Sequence, residues 1–373
     1  MSQVIPDNDL IIPDFEGEPF IPQPPTDPSQ ILGSVVQDGT SGDDTIIGTP
    51  STDYIQGREG NDYILGLQRA DTIIAGLNND TVFAGKGNDL VDGGEDNDEL
   101  HGNTDSDTLY GREGSDIIFG GRDEDWIYGS QGNDLLFGNR GSDTIRGGTE
   151  DDTIYGGKDN DLVRGEDGND FVRGDRGFDN VIGGIGDDTL YGGKDNDLVS
   201  GEEGNDLVSG DRGNDTVSGG SGNDTVLGGS GNDLIVGGQG NDFLEGGEGE
   251  DIFRFEFFEN ETQVLGIDTL NNFVATDSGV DTLTDFTPGE DKILLDANSF
   301  NQLSSPGDLN QDEFWLAIIT NFDPNNPSIA GNADVVYDSD QGLMYYMDAE
   351  GNAIRFMQLD SNLDINLDDF ETI

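Results

Sequence analysis

The chain has 373 residues, of which 79 are acidic and 16 basic, for a formal net charge of −63; only 32% are hydrophobic and none is cysteine. A chain so repulsive and so poor in apolar surface cannot offset its own ordering entropy, so by composition it stays unfolded unless a cation is supplied. The missing cysteine excludes disulfides, thiolate zinc sites and cysteine nucleophiles. Lys and Arg, scattered singly along the sequence, argue against nucleic acid and anionic membranes as partners.

Residues 1–41 hold seven of the twelve prolines and seven acidic residues but no Lys or Arg. Pro19-Phe-Ile-Pro-Gln-Pro-Pro-Thr-Asp-Pro28 predicts a polyproline-biased, disordered tether. Met1 onward shows neither a basic n-region nor an apolar h-region, and no apolar run approaches the roughly 20 residues of a membrane span. Export, if it occurs, is therefore expected to use another signal.

Residues 42–250 are a repeat array. Asp recurs at every ninth position from Asp44 to Asp251, twenty-four times, and residues 42–248 divide into twenty-three nonapeptides; Gly213-Asn-Asp-Thr-Val-Ser-Gly-Gly-Ser221 is a clean copy. The position two after each Asp is aliphatic from Ile46 to Leu244, and the position four after is Gly except at Ala75 and Ala84. A tract that stayed disordered would need no aliphatic residue in strict phase. Gly, Asn and Asp in succession supply the backbone of a tight turn, and three residues such as Thr225-Val226-Leu227 make a short strand. The period-2 pleat puts Asp224 and Val226 on one side, so the aliphatic residue points inward with the carboxylate in the turn before it. Two repeats complete a coil, repeats eighteen apart stack, and about twelve coils at ~4.8 Å give a right-handed parallel β-roll about 55 Å long.

Stacking pairs Asp206 with Asp224 and Asp215 with Asp233, carboxylates that repel unless a cation lies between them. Hard oxygen donors with no His or Cys nearby select calcium over zinc or iron, and magnesium holds its water too tightly for such a cage. The nonapeptide resembles the hemolysin-type calcium-binding repeat of the RTX family. That resemblance implies ions between successive turns, held by the repeat Asp and by turn carbonyls, with at most twenty-two eighteen-spaced Asp pairs to serve them. The residues assigned as metal ligands are Asp89, Asp98, Asp107, Asp116, Asp125, Asp134, Asp143, Asp152, Asp161, Asp170, Asp179, Asp188, Asp197, Asp206, Asp215, Asp224, Asp233 and Asp242. Earlier turns carry Thr49-Pro50, Arg58-Glu59 and Leu67-Gln68 where the motif wants Gly-Gly-x, so metal binding is expected to be best toward the C-terminal end. Residues 153–179 recur as 189–215, which suggests growth by copying four repeats at a time.

Phe83, Phe119, Phe137 and Tyr155 share one outward position, with His101 and Leu135 beside them. Packing as a cross-strand ladder is favoured over an exposed carbohydrate- or protein-binding stripe. His101, the only histidine, is expected to be an ordinary surface residue; no His-Glu-x-x-His helix and no Gly-x-Ser-x-Gly elbow occurs, so no enzymatic activity is expected.

From Asp251 the nine-residue phase dissolves, and residues 251–373 predict a β-sandwich-like cap with strands at 291–295, 314–319, 335–337, 343–346 and 353–357. Asp281-Thr-Leu-Thr-Asp-Phe-Thr-Pro-Gly-Glu-Asp-Lys-Ile-Leu-Leu295 resembles the strand after the roll in serralysin-type C-terminal domains, and Gly342-Leu-Met-Tyr-Tyr-Met-Asp-Ala-Glu-Gly-Asn352 resembles their late hairpin. Leu367-Asp-Asp-Phe-Glu-Thr-Ile373 resembles the C-terminal export signal of type I secretion substrates. What this implies is leaderless export through type I secretion machinery and folding outside the cell. Asp360, Asn362, Asp364, Asp368 and Glu371 have EF-hand spacing, but Ile365 stands where glycine is required, so a hairpin is the better reading. Two function classes follow: a secreted calcium-dependent scaffold or surface protein, or an adhesion module that binds polysaccharide or protein, self-association included. An enzyme accessory chain is a poor third.

Overall fold

The computed structural model describes residues 35–255 without interruption and, after them, residues 281–288, 291–295 and short segments between 307 and 372. Residues 1–34 of the expected N-terminal tether, most of the EF-hand-like stretch and part of the expected export signal lie outside the described residues. The end of that tether is not disordered as expected: Val35–Asp38 pairs in parallel with Asp53–Gln56, eighteen residues on, as the first strand of the array.

Every repeat contributes one strand that begins directly after its Asp, or at the Asp itself in Asp53–Glu59, and consecutive strands alternate between two parallel sheets. The first sheet starts at Val35–Asp38 and continues through Asp53–Glu59 and Thr72–Leu77 to Leu234–Gln239 and Ile252–Phe255. The second runs from Thr45–Ile47 to Phe243–Glu248, so twelve strand pairs make twelve coils of a β-roll. Register is eighteen residues throughout: Val208 faces Val226 in one sheet and Val217 faces Ile235 in the other. The phased aliphatic residues form one continuous core, with Ile55 to Leu244 fully buried at every ninth place, and Ala75 and Ala84 close the same core beside them. One buried aliphatic residue per nine is a thin core, so cohesion rests on the backbone ladders and on whatever satisfies the turns.

Beyond Asp251 the sequence phase ends but the stacking continues. Asp281–Leu295, read above as one strand, is instead a further coil: Asp281–Leu283 pairs with the second sheet, Leu283 opposite Leu244, while Lys292–Leu295 pairs with the first, Ile293 opposite Phe253. The reason is visible in two Asp-x-aliphatic triplets, Asp281-Thr-Leu283 and Asp291-Lys-Ile293, ten residues apart rather than nine. Phe370–Thr372 then extends the first sheet. The second sheet is extended by Ala353–Gln358, followed through antiparallel pairings by Leu343–Met347 and Val335–Asp338. Leu283, Phe286, Ile293, Tyr337, Met344 and Met357 join the apolar cluster of the roll. Among the described residues there is no α-helix, and no helix is long and apolar enough to cross a membrane.

Candidate metal-binding turns

The six-residue turn before each Asp from Asp62 to Asp251 has one geometry, seen at Gly219–Asp224. Gly220 and Gly222 adopt φ of 117° and 146°, in the left-handed half of backbone space where a side chain is strained. The early turns keep this backbone without glycine: Arg58 and Leu67 stand at φ 88° and 86° in the Gly220 place, at a cost of about 1–2 kcal/mol each. Gly219 is favoured for a different reason, since a β-carbon there would press on Asp224 Oδ2 and on the Gly237 carbonyl oxygen of the next coil; in the array only Ala75 and Ala84 carry one at this place.

All eighteen aspartates from Asp89 to Asp242 are buried at this turn position. Each Oδ1 along the stack accepts the backbone N–H of the Asp eighteen residues earlier, as in Asp206 N to Asp224 Oδ1 at 2.9 Å and Asp215 N to Asp233 Oδ1 at 2.8 Å. The second oxygen is different. From Asp62 to Asp233, every ninth residue without exception, Oδ2 is buried and has no hydrogen-bond partner. A buried carboxylate oxygen left unpaired is costly, and the electrostatics report it. Burial pushes Asp98 up to about 8 and Asp161 up to about 9. The amide bond from Asp143 pulls Asp161 back, and the charges of Asp143, Asp179 and Asp159 push it further up. One pKa unit is worth about 1.4 kcal/mol, so even a single unit per repeat over the array would exceed the roughly 5–15 kcal/mol that stabilises an ordinary domain. The turns call for a cation.

The donor set fits a hard one. The orphaned oxygens and the carbonyls of the adjoining coil are all oxygen donors, glycine keeps the space beside them open in every interior turn except at Ala75 and Ala84, and neither Cys nor His lines it. Among the described residues no three His, Cys, Asp or Glu side chains converge on one point, because the carboxylates follow one another along the stack. Backbone oxygens must then supply most of any coordination shell.

The ends of the array differ from its middle. Asp53 Oδ2 accepts the Thr49 backbone N–H at 2.5 Å and the Thr49 hydroxyl at 3.1 Å. Asp44 Oδ2 takes the same two groups of Thr40 at 2.6 and 2.9 Å. At the other end Asp291 Oδ1 accepts the Asp251 amide, and its Oδ2 accepts the Thr287 N–H at 2.7 Å. Both ends thus carry Thr-x-x-x-Asp, and protein donors occupy the oxygen that is orphaned between them. Asp62, Asp71 and Asp80, left out of the sequence assignment because their turns look poor, share the environment of Asp89. The signal separating them from Asp44 and Asp53 is a threonine four residues before the Asp, not the number of glycines.

Two other sequence readings change. His101 does not lie beside the aromatic stripe; it stacks within it, 4.3 Å from Phe83 and 4.8 Å from Phe119, because the same repeat position falls on the same line of the sheet. The stack continues through Phe137 to Tyr155 with rings within 7° of parallel. Nor are the basic residues isolated in space, since a spacing of eighteen lines up six of them on the second sheet.

A β-roll of stacked nonapeptides with a buried carboxylate in every turn defines a calcium-binding repeat protein. Residues 38–253, more than half of the chain, match the RTX calcium-binding nonapeptide repeat in overlapping sets of four copies, and the chain belongs to that family. No curated protein matches it. Among solved structures it is similar to the solution structure of the AlgE6R3 subunit from the Azotobacter vinelandii mannuronan C5-epimerase, at 24% identity and a TM-score of 0.24, over 50% of this chain and 78% of that one.

Proposed function

We propose that the protein is a secreted, non-enzymatic scaffold whose array is unfolded at cytosolic calcium and folds outside the cell. The row of orphaned Asp Oδ2 atoms carries this reading, because an apo roll would bury a line of unpaired carboxylates. The ligands are the repeat aspartates from Asp89 to Asp242, to which Asp62, Asp71 and Asp80 are added on their environment. Calcium supplies the positive charge that lets these carboxylates stay ionised while buried. The chain's own part is to hold Oδ1 with an amide, to present Oδ2, and to keep the cradle small, with glycine in every interior turn but those of Ala75 and Ala84. The residues before Val35 serve as a tether, 35–250 as the ion-loaded rod and 251–373 as its cap, with export by type I secretion through the C-terminal end. Midpoints of about 10⁻⁴–10⁻³ M, the range of extracellular modules, would couple folding to exit from the cell.

Circular dichroism and sedimentation of the full chain with and without calcium test this. The expected result is a disordered spectrum and an expanded chain in EGTA, and a cooperative change to a compact β form with calcium. A β-rich, compact chain in EGTA at low salt would overturn it.

A further inference from the structure

Arg122, Arg140, Lys158, Arg176, Lys194 and Arg212 each end a strand of the second sheet. Register sets Arg122 against Arg140, Lys158 against Arg176 and Lys194 against Arg212, and the eighteen-residue coil puts the three pairs on one line. These are six of the chain's 16 basic residues in a molecule of net charge −63. All six are exposed, and the ion pairs among the described residues include none of them. The equivalent line on the first sheet holds Glu95, Glu113, Asp167 and Glu203 and no cation. A line of unpaired cations on one sheet only is not what neutralising the acidic turns would require.

Beside this cationic line runs the aromatic ladder, three residues away along each strand, as Phe119 is from Arg122. Between the two lies an open groove of about 490 Å³ with Phe119 on one wall, Asn103 and Asn139 within it and Arg122, Arg140 and Lys158 on the other wall. The ring faces are occupied by one another, so the rings make a rigid wall and the cations and amides are what a ligand would meet. Such a groove suits a linear anion.

We propose that this groove binds an acidic polysaccharide of the uronate type, laid parallel to the roll axis. Cations repeat every ~4.8 Å for about 24 Å along the sheet. A polyuronate carries a carboxylate on every pyranose together with hydroxyls for the two asparagines. An extended acidic peptide such as polyglutamate has the carboxylates, about 6.6 Å apart on one side, but no hydroxyls to meet the amides. Nucleic acid is more densely charged and would meet Asp123, Asp159 and Asp195, which follow Arg122, Lys158 and Lys194 in the turns. The Debye length of about 8 Å at physiological ionic strength screens the rest of the acidic surface while leaving contacts at the cationic line intact. This goes beyond a scaffold role and requires only the folded roll.

The test is calorimetry of the full chain in excess calcium with short oligogalacturonates, at low and physiological salt. The full chain is expected to bind, more weakly as salt rises. Combined Arg122→Gln, Arg140→Gln and Lys158→Gln changes should weaken binding about tenfold or more, while Glu95→Gln with Glu113→Gln on the first sheet leaves it unchanged. Circular dichroism in calcium reads folding separately, so a roll that fails to form is distinguished from a roll that forms and does not bind. No binding by the folded chain, equal binding by the triple variant, or tighter binding of polyglutamate or oligothymidylate would each overturn the assignment.

Discussion

The middle of the roll and its two ends solve one problem in opposite ways. In the middle, from Asp62 to Asp233, the second carboxylate oxygen is buried and unpartnered, and stability must come from outside the chain. At the ends, Thr40, Thr49 and Thr287 donate to that oxygen within the chain. A stacked array is a sum of unit and neighbour terms, so end coils that need no ion provide fixed surfaces against which ion-dependent coils can add. Calcium dependence is then a property of the interior, and the length of the interior sets how much calcium the fold takes up.

Removing an end should be the most damaging change. Deleting residues 258–373 takes away the coil at 281–295, uncovers Leu244 and Phe253 and leaves Asp251 N–H without its Asp291 acceptor. The calcium midpoint of the β signal should rise severalfold and its cooperativity fall. An unchanged midpoint would mean that the interior folds without a closed end.

Single turns come next. Asp224→Ala removes a carboxylate stacked between Asp206 and Asp242, so calorimetry should count fewer ions and a higher midpoint. Gly219→Ala keeps every carboxylate but puts a methyl group against Asp224 Oδ2 and the Gly237 carbonyl, and should raise the midpoint less than Asp224→Ala does, because Ala75 and Ala84 hold the same place before Asp80 and Asp89. Asp53→Ala should leave the ion count intact, because Thr49 already occupies Asp53 Oδ2. Equal ion losses at Asp53 and Asp224 would erase the distinction between end and middle.

The roll itself was legible from Asp and aliphatic phase alone, since a period of nine with a fixed inward residue admits one stacking. Its C-terminal continuation was not, because a break of about forty residues separates Asp251 from Asp291 and no periodicity crosses it. The expected strands around 335–337, 343–346 and 353–357 are found as Val335–Asp338, Leu343–Met347 and Ala353–Gln358, short alternating segments that local pattern identifies well. The threonine closures show only when each Asp is compared with the residue four before it, a spacing that the nine-residue phase does not single out, and the cationic line shows only when the eighteen-residue spacing that aligns the aspartates and aromatic rings is extended to Lys and Arg.

Acidity offers a milder test of the middle. Burial first, then the neighbouring charges, hold Asp98, Asp107 and Asp125 near 8 in the metal-free fold, against 3.8 ordinarily. A carboxyl group whose pKa is raised by folding favours the fold below its unfolded value and loses that contribution as pH rises through its folded value. In EGTA, β structure should therefore increase as pH falls from about 8 toward about 4. With calcium the trend reverses, because protons compete with the ion for the carboxylates and raise the midpoint. Metal-free dichroism that shows less order at the acid end than near pH 8 would show that these carboxylates are not buried as described.

The smallest effect concerns one hydroxyl at the N-terminal end. Thr49→Val keeps the size and branching of the side chain and the backbone N–H, but removes the Oγ1 donor that lies 3.0 and 3.1 Å from the two oxygens of Asp53. Asp53 then approaches the state of an interior aspartate without the glycine turn that accompanies most of them, since Pro50 and Ser51 follow in the chain. A hydrogen bond to a charged group contributes about 1.5–3 kcal/mol, and the retained N–H keeps the loss at the lower end. Global calcium midpoint should move little, while amide exchange across Asp53–Gly57 in the calcium-loaded protein should speed up about tenfold. The matching Thr225→Val change in the interior, where Thr225 follows an Asp rather than preceding one by four, should leave exchange in its own coil unchanged. Exchange that is equally unaffected in both variants would show that the threonine hydroxyl adds nothing to the closure, and that the amide of Thr49 holds Asp53 alone.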